Sequence, residues 1–393
     1  MASNHAQWAD LPLDLLLHTA SVLECVADLS HMALMCTSWH TAAFGTKIKK
    51  QLPWLLMPHE NHEELSRLDE IRADFYCFFT NAPHCLPLPF QTIGARFFGS
   101  YPGGWLFVAF AQNHWHSLLN LYSEDVVMLP DSMFLMGCKV YEPIVIRAAT
   151  LSGPPENGTA TFCAAIVSVK KHGVFGEECI AAIWRIGQHQ ATGFEEINAR
   201  DLIMFNGSFY FLNYDGDLVA CKVRDDGVQF TVTQNWFHVI PVYIEEGVEI
   251  MSMYLVESRG ELLLVVRLKN QQSNVTSSFL VMEMLEAGTC ENGHGIYVWS
   301  PIQSLDGRML FVARGQSRSF EAADYINQRE GVYFLDDNSF DDLNSLRNCD
   351  LFDMTYRYSS CDNGSWNMHD GVTRRLFSTK SPSNYSAPVW FFH

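Results

Sequence analysis

Two histidines on either side of Trp115 are the residues whose types and spacing could support metal chemistry. His114 and His116 lie two positions apart, so a β-strand would place both imidazoles on one face. With a carboxylate nearby, such a pair could bind a metal ion. The same residues also fit the polar edge of a loop beside Asn113, and this is the interpretation that we favour.

Two adjacent pairs of aspartates form a second group that could do chemistry. Asp336-Asp337 and Asp341-Asp342 could bind calcium or act as an acid and a base. No Asp-x-Asp-x-Asp-Gly frame surrounds them, so the sequence favours a solvated turn.

The motifs of the common hydrolases and nucleotide-binding proteins are absent from the sequence. It contains no Gly-x-Ser-x-Gly element and no Walker-type loop. The Gly-rich stretch 99–104 leads into a strand, so it lacks the helix N-terminus that would hold phosphate. Because no nucleophile–base pair emerges either, we predict that the protein is not an enzyme and has no cofactor.

The cysteines indicate the cellular compartment rather than a metal site. There are eleven of them and no Cys-x-x-Cys pair, and the spacings of Cys25 with Cys36 and of Cys77 with Cys85 are not usual for zinc. We therefore predict no metal site. The first residues lack the basic region and apolar core of a signal peptide, so we expect reduced thiols and a location in the cytoplasm or nucleus.

The composition is that of a well-buried globular protein. Hydrophobic residues make up 48% of the chain and charged residues only 18%. The net charge of −18 gives no electrostatic footprint for nucleic acid or for an anionic membrane, and we expect neither as a partner. No apolar run approaches the roughly 18 residues that a membrane span needs.

The N-terminal region predicts two short amphipathic helices. Pro12 suits the first turn of one helix, and Asp28 is the expected N-cap of the other. The first helix carries an apolar stripe at helical spacing, formed by Leu13, Leu16, Leu17 and Ala20. The second carries a similar stripe followed one turn later by Trp39, and its members are Leu29, Met32, Ala33 and Cys36. About 40 residues seldom build a sufficient core alone, so either the remaining chain or another protein must cover these stripes.

The order of these residues resembles an F-box. The resemblance is carried by Leu11-Pro12-x-Asp14-Leu15-Leu16, Leu23, Asp28-Leu29 and Cys36-x-x-Trp39. Two residues depart from the pattern, because Ala20 replaces a larger aliphatic side chain and Met35 replaces Val. In the F-box family this motif docks on a Skp-type adaptor, which links it to a cullin ubiquitin ligase.

After the helical region the sequence changes to short strand-like runs between turn residues. Residues 53–58 are apolar and extended, because two prolines exclude a helix there. From Phe75 onward the runs are separated by hairpin dipeptides such as Asn206-Gly207, Asp215-Gly216 and Arg259-Gly260. The fold class is therefore α plus all-β, with a small helical module followed by a large antiparallel domain. We expect the module at 8–50, a connecting segment at 51–74 and the β domain at 75–393.

The length of the β domain favours a propeller. Gly207, Gly260 and Gly307 mark strand–turn units at intervals of about 50 residues, which is the repeat of a kelch-like blade. About 320 residues of β structure also exceed a usual single sandwich or barrel of roughly 200–250 residues. A propeller holds many strands while leaving only short, protected edges.

The whole chain resembles the plant F-box proteins whose C-terminal part is a kelch-related β-propeller, of the domain of unknown function 295 type. The motifs that carry this resemblance follow in order along the chain: Pro53-Trp54-Leu55-Leu56-x-Pro58, Leu86-Pro-Leu-Pro89, Gly99-Ser100-x-x-Gly103-x-Trp105, Leu119-Asn120, Asp201-Leu-Ile-x-Phe-Asn-Gly207, Tyr254-Leu-Val-Glu-Ser-x-Gly-Glu-Leu-Leu, Ser304-Leu-Asp-Gly, Gly331-Val-Tyr-Phe-Leu, Cys361-Asp-Asn-Gly364 and Pro388-x-Trp390-Phe.

The resemblance implies a non-catalytic substrate-recognition subunit of a Skp–cullin–F-box ubiquitin ligase. Its F-box would bind the Skp-type adaptor, and through it the cullin, while the propeller would bind an unknown protein substrate. The residues that it implies for adaptor binding are Leu11, Pro12, Leu16, Leu17, Leu29, Met32, Cys36 and Trp39. Some of these must pack inside the module. The alternative is a stand-alone propeller scaffold with a decayed F-box, and a third class is an enzyme or sugar-binding propeller.

Aromatic side chains in turn-like contexts are the candidates for contact with a substrate, since aromatics are favoured interface anchors. They are Tyr101, Trp115, Phe134, Tyr214 and Trp366. Each of them also fits ordinary packing within a blade or loop.

Overall fold

The computed structural model describes residues 11–23, 25–45, 51–57, 72–78, 82–135, 140–155, 161–170, 177–225, 230–237, 246–273, 275–289, 295–342, 356–377, 383 and 385–393. The described part begins with three helices and continues as strands and three short 3-10 turns. Trp8, Lys47 to Lys50 and most of the expected connecting segment lie outside the described residues.

Three short helices form the N-terminal module, where the sequence predicted two. They are α1 (Leu13–Val22), α2 (Val26–Ala33) and α3 (Thr37–Gly45). Pro12 precedes α1 as its N-cap. Cys25, and not Asp28, is the N-cap of α2, and Asp28 lies within the first turn of that helix. An acidic side chain is favourable there because it faces the positive end of the helix dipole.

Six sheets make up the rest of the described chain, five of them open and one closed on itself. Sheet 1 contains β1 (Trp54–Met57), β2 (Arg72–Cys77), β3 (Ala82–Pro87) and β26 (Val389–Phe391). Sheet 2 contains β4 (Arg96–Tyr101), β5 (Trp105–Ala109), β6 (His116–Asn120) and β7 (Val126–Met128). Sheet 3, the closed one, contains β8 (Ser132–Leu135), β9 (Val140–Leu151), β10 (Phe162–Lys170), β11 (Glu177–Arg185) and β12 (Ala191–Phe194).

The remaining three sheets follow in chain order. Sheet 4 contains β13 (Asp201–Phe205), β14 (Ser208–Leu212), β15 (Leu218–Asp225) and β16 (Phe230–Phe237). Sheet 5 contains β17 (Val248–Ser258), β18 (Glu261–Asn270), β19 (Thr276–Thr289) and β20 (Gly295–Pro301). Sheet 6 contains β21 (Arg308–Phe311), β22 (Arg318–Glu321), β23 (Gly331–Phe334), β24 (Gly364–Trp366) and β25 (Thr373–Arg374). Neighbouring strands are antiparallel except for β12 with β8 and β21 with β23.

Six hydrophobic clusters join each sheet to the next and close them into a ring. One cluster packs side chains of sheets 1 and 2, another those of sheets 2 and 3, and the series continues through sheets 5 and 6. The sixth cluster returns from sheet 6 to sheet 1, where Phe311 meets Trp390. The β domain is therefore a propeller, as the sequence predicted.

The ring closes within sheet 1, where the first and last strands of the propeller pair. Strand β1 forms an antiparallel pair with β26, with Leu55 opposite Trp390. Residues 51–57 therefore belong to the propeller and not to a connecting segment, and β2 already begins at Arg72. The apolar sequence of β1 fits this position, because all four of its residues are buried between neighbours.

The predicted hairpin turns are present. Asn206 and Gly207 have φ values of 45° and 75°, and Arg259 and Gly260 have 55° and 80°. Two successive residues with positive φ form the turn whose twist matches that of paired strands. Asp306 and Gly307, at 51° and 82°, repeat this conformation directly before β21. The interval of about 50 residues between Gly207, Gly260 and Gly307 therefore corresponds to the step from one sheet of the ring to the next.

Candidate functional site: the helical module and the axis of the propeller

The three helices pack their predicted stripes against one another. The core of the module consists of Leu16, Ala20, Leu29, Met32, Ala42 and Ala43, each at most 8% exposed. Leu11, Leu23, Ala33 and Trp39 pack against it and are half-buried. Ala20 thus lies inside the module, where it packs beside the small side chains of α3.

A second set of apolar side chains on the module faces outward. Helix α1 exposes Leu13, Leu15, Leu17 and Val22 by 36% to 52%, and Leu34 and Met35, which follow α2, are 82% and 68% exposed. Leu13 and Leu17 lie one turn apart beside the core stripe, whereas Leu15 and Val22 lie on the opposite side of the helix. Asp14, His18 and Ser21 are also exposed on this helix, so its outer side is partly polar and its apolar side chains extend well beyond the core stripe. The module therefore presents a surface that favours a protein partner.

The residues predicted to bind an adaptor fall into two groups in the structure. Leu16, Leu29 and Met32 are core residues of the module, and Leu11, Cys36 and Trp39 are half-buried. Pro12 and Leu17 are exposed. Direct contact with a partner stays a prediction for all eight, and the exposed pair is the more accessible.

The junction between the module and the propeller contains a thiol–imidazole cluster that the sequence did not reveal. Cys25 at the start of α2 packs on sheet 1 and contacts Cys77 and His84. Cys25 lies 52 residues before Cys77 and 59 before His84, so no spacing rule could have joined it to them. Only knowledge of how β2 pairs with β3 could have indicated that Cys77 and His84 lie side by side.

A cavity of about 100 Å³ lies at the axis of the propeller. Five of the six sheets contribute to its lining, with Arg96, Arg147 and Arg314 as its cationic side chains. Arg96 Nη2 donates to the Ile146 carbonyl at 2.8 Å. Burial by itself lowers the pKa of Arg314. The nearby Asp341 and Asp337 raise it by a larger amount, so the pKa of this arginine lies above its ordinary value. The Arg314 guanidinium thus stays charged, and its ion pair with Asp341 and its hydrogen bond to the Arg200 carbonyl tie the wall of the cavity to neighbouring segments.

The predicted solvated turn around Asp336 is instead part of a buried ionic network. Asp336 is 3% exposed, and Asp337 forms ion pairs with Arg267 at 3.0 Å and Arg314 at 3.3 Å. The Tyr254 hydroxyl donates to Asp337 at 2.8 Å, and Asp341 pairs with Arg314 at 3.2 Å. The sequence analysis did not identify these arginines as partners of the aspartates. Arg267 within the apolar run of β18 was a signal, because a cation there needs a buried carboxylate. The carboxylates neutralise buried cations and join sheets 5 and 6.

The histidine pair does not form a metal site. His116 is fully buried, and its Nδ1 lies 2.5 Å from Asp131 Oδ1. The backbone N–H of Ile146 donates to the other ring nitrogen at 3.2 Å. Burial lowers the pKa of His116, although the hydrogen bond with Asp131 raises it in part. The ring is therefore a neutral structural link between β6 and β9, with both nitrogens in use.

The five candidate aromatics are placed differently from one another. Trp115 and Tyr214 are 61% and 55% exposed, so they are accessible to a partner. Phe134 is half-buried and lines an open groove of about 660 Å³ together with Tyr141 and residues 188–192. Tyr101 is partly buried against the core between sheets 2 and 3. Trp366 lies in β24 and is 5% exposed, so its expected turn-like position was wrong.

No helix among the described residues combines the length and the hydrophobicity that a membrane crossing requires.

Comparison with known proteins identifies relatives of the propeller and of most of the chain. The family model of the KIB1-4 beta-propeller matches residues 75–359. The F-box/kelch-repeat protein At1g57790 of Arabidopsis thaliana is 24% identical over 339 residues, which cover 83% of this chain and 82% of that protein. The probable F-box protein At4g22060 of Arabidopsis thaliana is 27% identical over 134 residues, which cover 33% of this chain and 31% of that protein.

A solved structure shows only a slight likeness. The crystal structure of BBS1N in complex with ARL6DN aligns with 55% of this chain and 70% of its own, at 11% identity and a TM-score of 0.27.

Proposed function

Because the chain belongs to the KIB1-4 beta-propeller family, we propose that it is the non-catalytic substrate-recognition subunit of a Skp–cullin–F-box ubiquitin ligase. Relatives named F-box proteins support this proposal. The observation that carries it is the apolar outer surface of the helical module, where Leu13, Leu17 and Leu34 are exposed. Three helices with a small core and exposed leucines suit docking on another helical protein.

In this proposal the helical module binds a Skp-type adaptor. Pro12 and Leu17 contact the adaptor directly, whereas Leu16, Leu29 and Met32 maintain the shape of the docking surface from inside. The interface gains from burial of leucine side chains, at about 25 cal/mol per Å² of apolar surface removed from water. The adaptor then links the chain to the cullin.

The propeller supplies the second half of the function, which is to hold a protein substrate. Loops on a propeller can vary without disturbing the sheets, so this ring suits specific recognition. The transfer of ubiquitin belongs to partner enzymes, and this chain contributes proximity by converting a bimolecular encounter into an effectively intramolecular one. Such a subunit needs no cofactor, and we expect it to work in the cytoplasm or nucleus.

Co-expression with a plant Skp-type adaptor, followed by size-exclusion chromatography, tests the proposal. The wild-type chain should elute as a one-to-one complex. Leu17→Glu should weaken adaptor binding at least tenfold, because it places a charge in the apolar interface. Val126→Glu is the matched control, since Val126 is 50% exposed on β7 of the propeller, and it should bind like the wild type.

The same experiment distinguishes the alternative, a stand-alone propeller scaffold with a decayed F-box. Of the two departures from the F-box pattern, Ala20 lies in the core and Met35 is 68% exposed. Only Met35 can therefore alter a docking surface directly. A wild-type chain that is folded but elutes without the adaptor would make the scaffold the better account.

A further inference from the structure

Three side chains that could bind a metal ion meet where the helical module contacts the propeller. Cys25 comes from the junction of α1 and α2, Cys77 ends β2, and His84 lies in β3. His84 is opposite Phe75 in the β2–β3 pair, and Phe75 and Cys77 share a face of their strand. The hairpin therefore turns Cys77 and His84 toward the same side, where Cys25 packs onto the sheet.

The distances between these side chains are close to those that a tetrahedral zinc ion imposes. The Cys25 and Cys77 sulfurs are 3.7 Å apart, and Cys25 Sγ is 3.1 Å from His84 Nε2. All three donor atoms lie within 4.8 Å of one another. Ordinary zinc–ligand bond lengths place two thiolates about 3.8 Å apart and a thiolate and an imidazole nitrogen about 3.6 Å apart. The sulfur pair already has this separation, and the other pair would have to open by about 0.5 Å.

The chemistry of the donors favours zinc over harder ions. Two thiolates and one imidazole suit zinc, whereas magnesium and calcium prefer oxygen ligands. The sulfurs are too far apart for a disulfide, whose S–S bond is about 2.05 Å. Both cysteines are at most 1% exposed, and His84 is half-buried, so a fourth ligand from solvent would approach beside His84.

The surroundings of His84 hold its ring in place. Trp54, which is 2% exposed, stacks on the imidazole with the ring centroids 4.8 Å apart and the planes 28° from parallel. A ring that is already fixed loses less conformational freedom when it binds a metal ion.

We propose that Cys25, Cys77 and His84 form a zinc site that fastens the helical module to the propeller. The site joins one ligand of the module to two ligands of sheet 1, so it fixes the orientation of the module. Its existence does not depend on the proposed ligase function, because the measurements below involve no adaptor and no ubiquitin.

Cobalt binding to the full-length protein tests the site directly. The chain is purified under reducing conditions, freed of metal with a chelator and titrated with Co²⁺. We expect one equivalent to produce the thiolate charge-transfer and strong d–d absorption of a tetrahedral site, and equimolar Zn²⁺ to abolish both. Absence of these bands in the folded wild-type protein would overturn the proposal.

Three substitutions locate the ion. Cys25→Ser and His84→Ala should each lower cobalt affinity at least tenfold, whereas Cys163→Ser should bind like the wild type. Cys163 is a fitting control because it is fully buried in the core between sheets 2 and 3. If His84→Ala fails to fold by circular dichroism, His84→Gln replaces it. Unchanged affinity in the folded ligand variants would contradict the proposal.

Hydrogen exchange tests the link between module and propeller. Zinc should slow amide exchange in α2 (Val26–Ala33) at least tenfold in the wild-type chain and not in Cys25→Ser. Equal exchange of α2 with and without zinc would show that the ion does not fasten the module, which would overturn that part of the proposal.

Discussion

Arg267 donates a hydrogen bond of 2.8 Å from Nη2 to Oδ2 of Asp362, which lies 95 residues later in the chain. This contact joins the second strand of sheet 5 to the segment that leads into the last strands of sheet 6. Arg267 is fully buried, and its other donors reach Thr276 Oγ1 at 2.6 Å and the Leu335 carbonyl at 2.8 Å. Burial by itself lowers the pKa of this arginine, but Tyr254, Asp337 and Asp362 raise it above its ordinary value.

Replacing Arg267 should therefore destabilise the propeller strongly. Arg267→Met leaves Asp362, which is 5% exposed, without its cation, and loss of one partner of a buried pair costs about 3–5 kcal/mol. The free energy of unfolding in urea measures this change. The control is Arg374→Ala, which removes an exposed ion pair with Asp370 and should change stability little. Equal stability of the two variants would show that the buried pair does not hold sheets 5 and 6 together.

The sequence predicts features of the fold that depend on neighbouring residues. Turn dipeptides such as Asn206-Gly207 and the apolar run of β1 report local conformation, and both lie where they were expected. Which strands meet across the ring depends on distant contacts, so the pairing of β1 with β26 was not foreseen. Strands β1 and β26 carry no local signal that they will pair.

The same limit applies to the candidate site. The helical stripes predicted the core residue Leu16, because an apolar repeat fixes one face of a helix. Adjacent aspartates suggested a solvated turn, yet Asp337 is paired with arginines from two other segments. A charged residue is expected to be exposed unless its partner is known. The partners of Asp337, Arg267 and Arg314, are separated from it by tens of residues.

Closure of the ring at Trp390 gives a second prediction. Trp390 is fully buried, and its indole N–H donates to the Val312 carbonyl of sheet 6 at 3.0 Å. Trp390→Ala should lower the free energy of unfolding by about 3–5 kcal/mol, because it removes a large core side chain and a hydrogen bond between sheets. Trp115→Ala is the control, since Trp115 is 61% exposed and surface changes usually stay within about 0.5 kcal/mol. Chemical denaturation of both variants checks this, and similar losses would contradict the importance of the closure.

Asp201 should make the free energy of unfolding vary with pH. This carboxyl group is fully buried, and burial raises its pKa to about 7, although N–H donors from Leu255 and Gly315 lower it in part. Since the pKa in the unfolded chain is about 3.9, the folded state binds the proton more tightly. The resulting stability is complete below about pH 4 and is lost as the pH rises toward 7.

Asp201→Asn removes this titration and isolates its effect. The stability of the wild type minus that of the variant should fall by about 2 kcal/mol between pH 5.5 and 7 and then level off. The contribution of His116, whose pKa burial lowers, has the opposite sign and cancels in the difference. Urea unfolding of both proteins across this range measures the difference. A constant difference would show that Asp201 has the same protonation in the folded and unfolded states.

Leu16 and Leu17 are adjacent in α1 and should respond to substitution in different ways. Leu16 is fully buried in the core of the module, whereas Leu17 is 36% exposed. Leu16→Ala should lower the stability of the helical module by about 2–5 kcal/mol, because it removes a buried side chain and leaves a cavity. Leu17→Ala should change stability by less than about 0.5 kcal/mol.

Hydrogen exchange in α1–α3 measures the module separately from the propeller. If both variants exchange alike, the division of α1 into a core stripe and an outer surface is wrong. Unequal exchange together with weaker adaptor binding by Leu17→Ala would assign the exposed leucine to the partner.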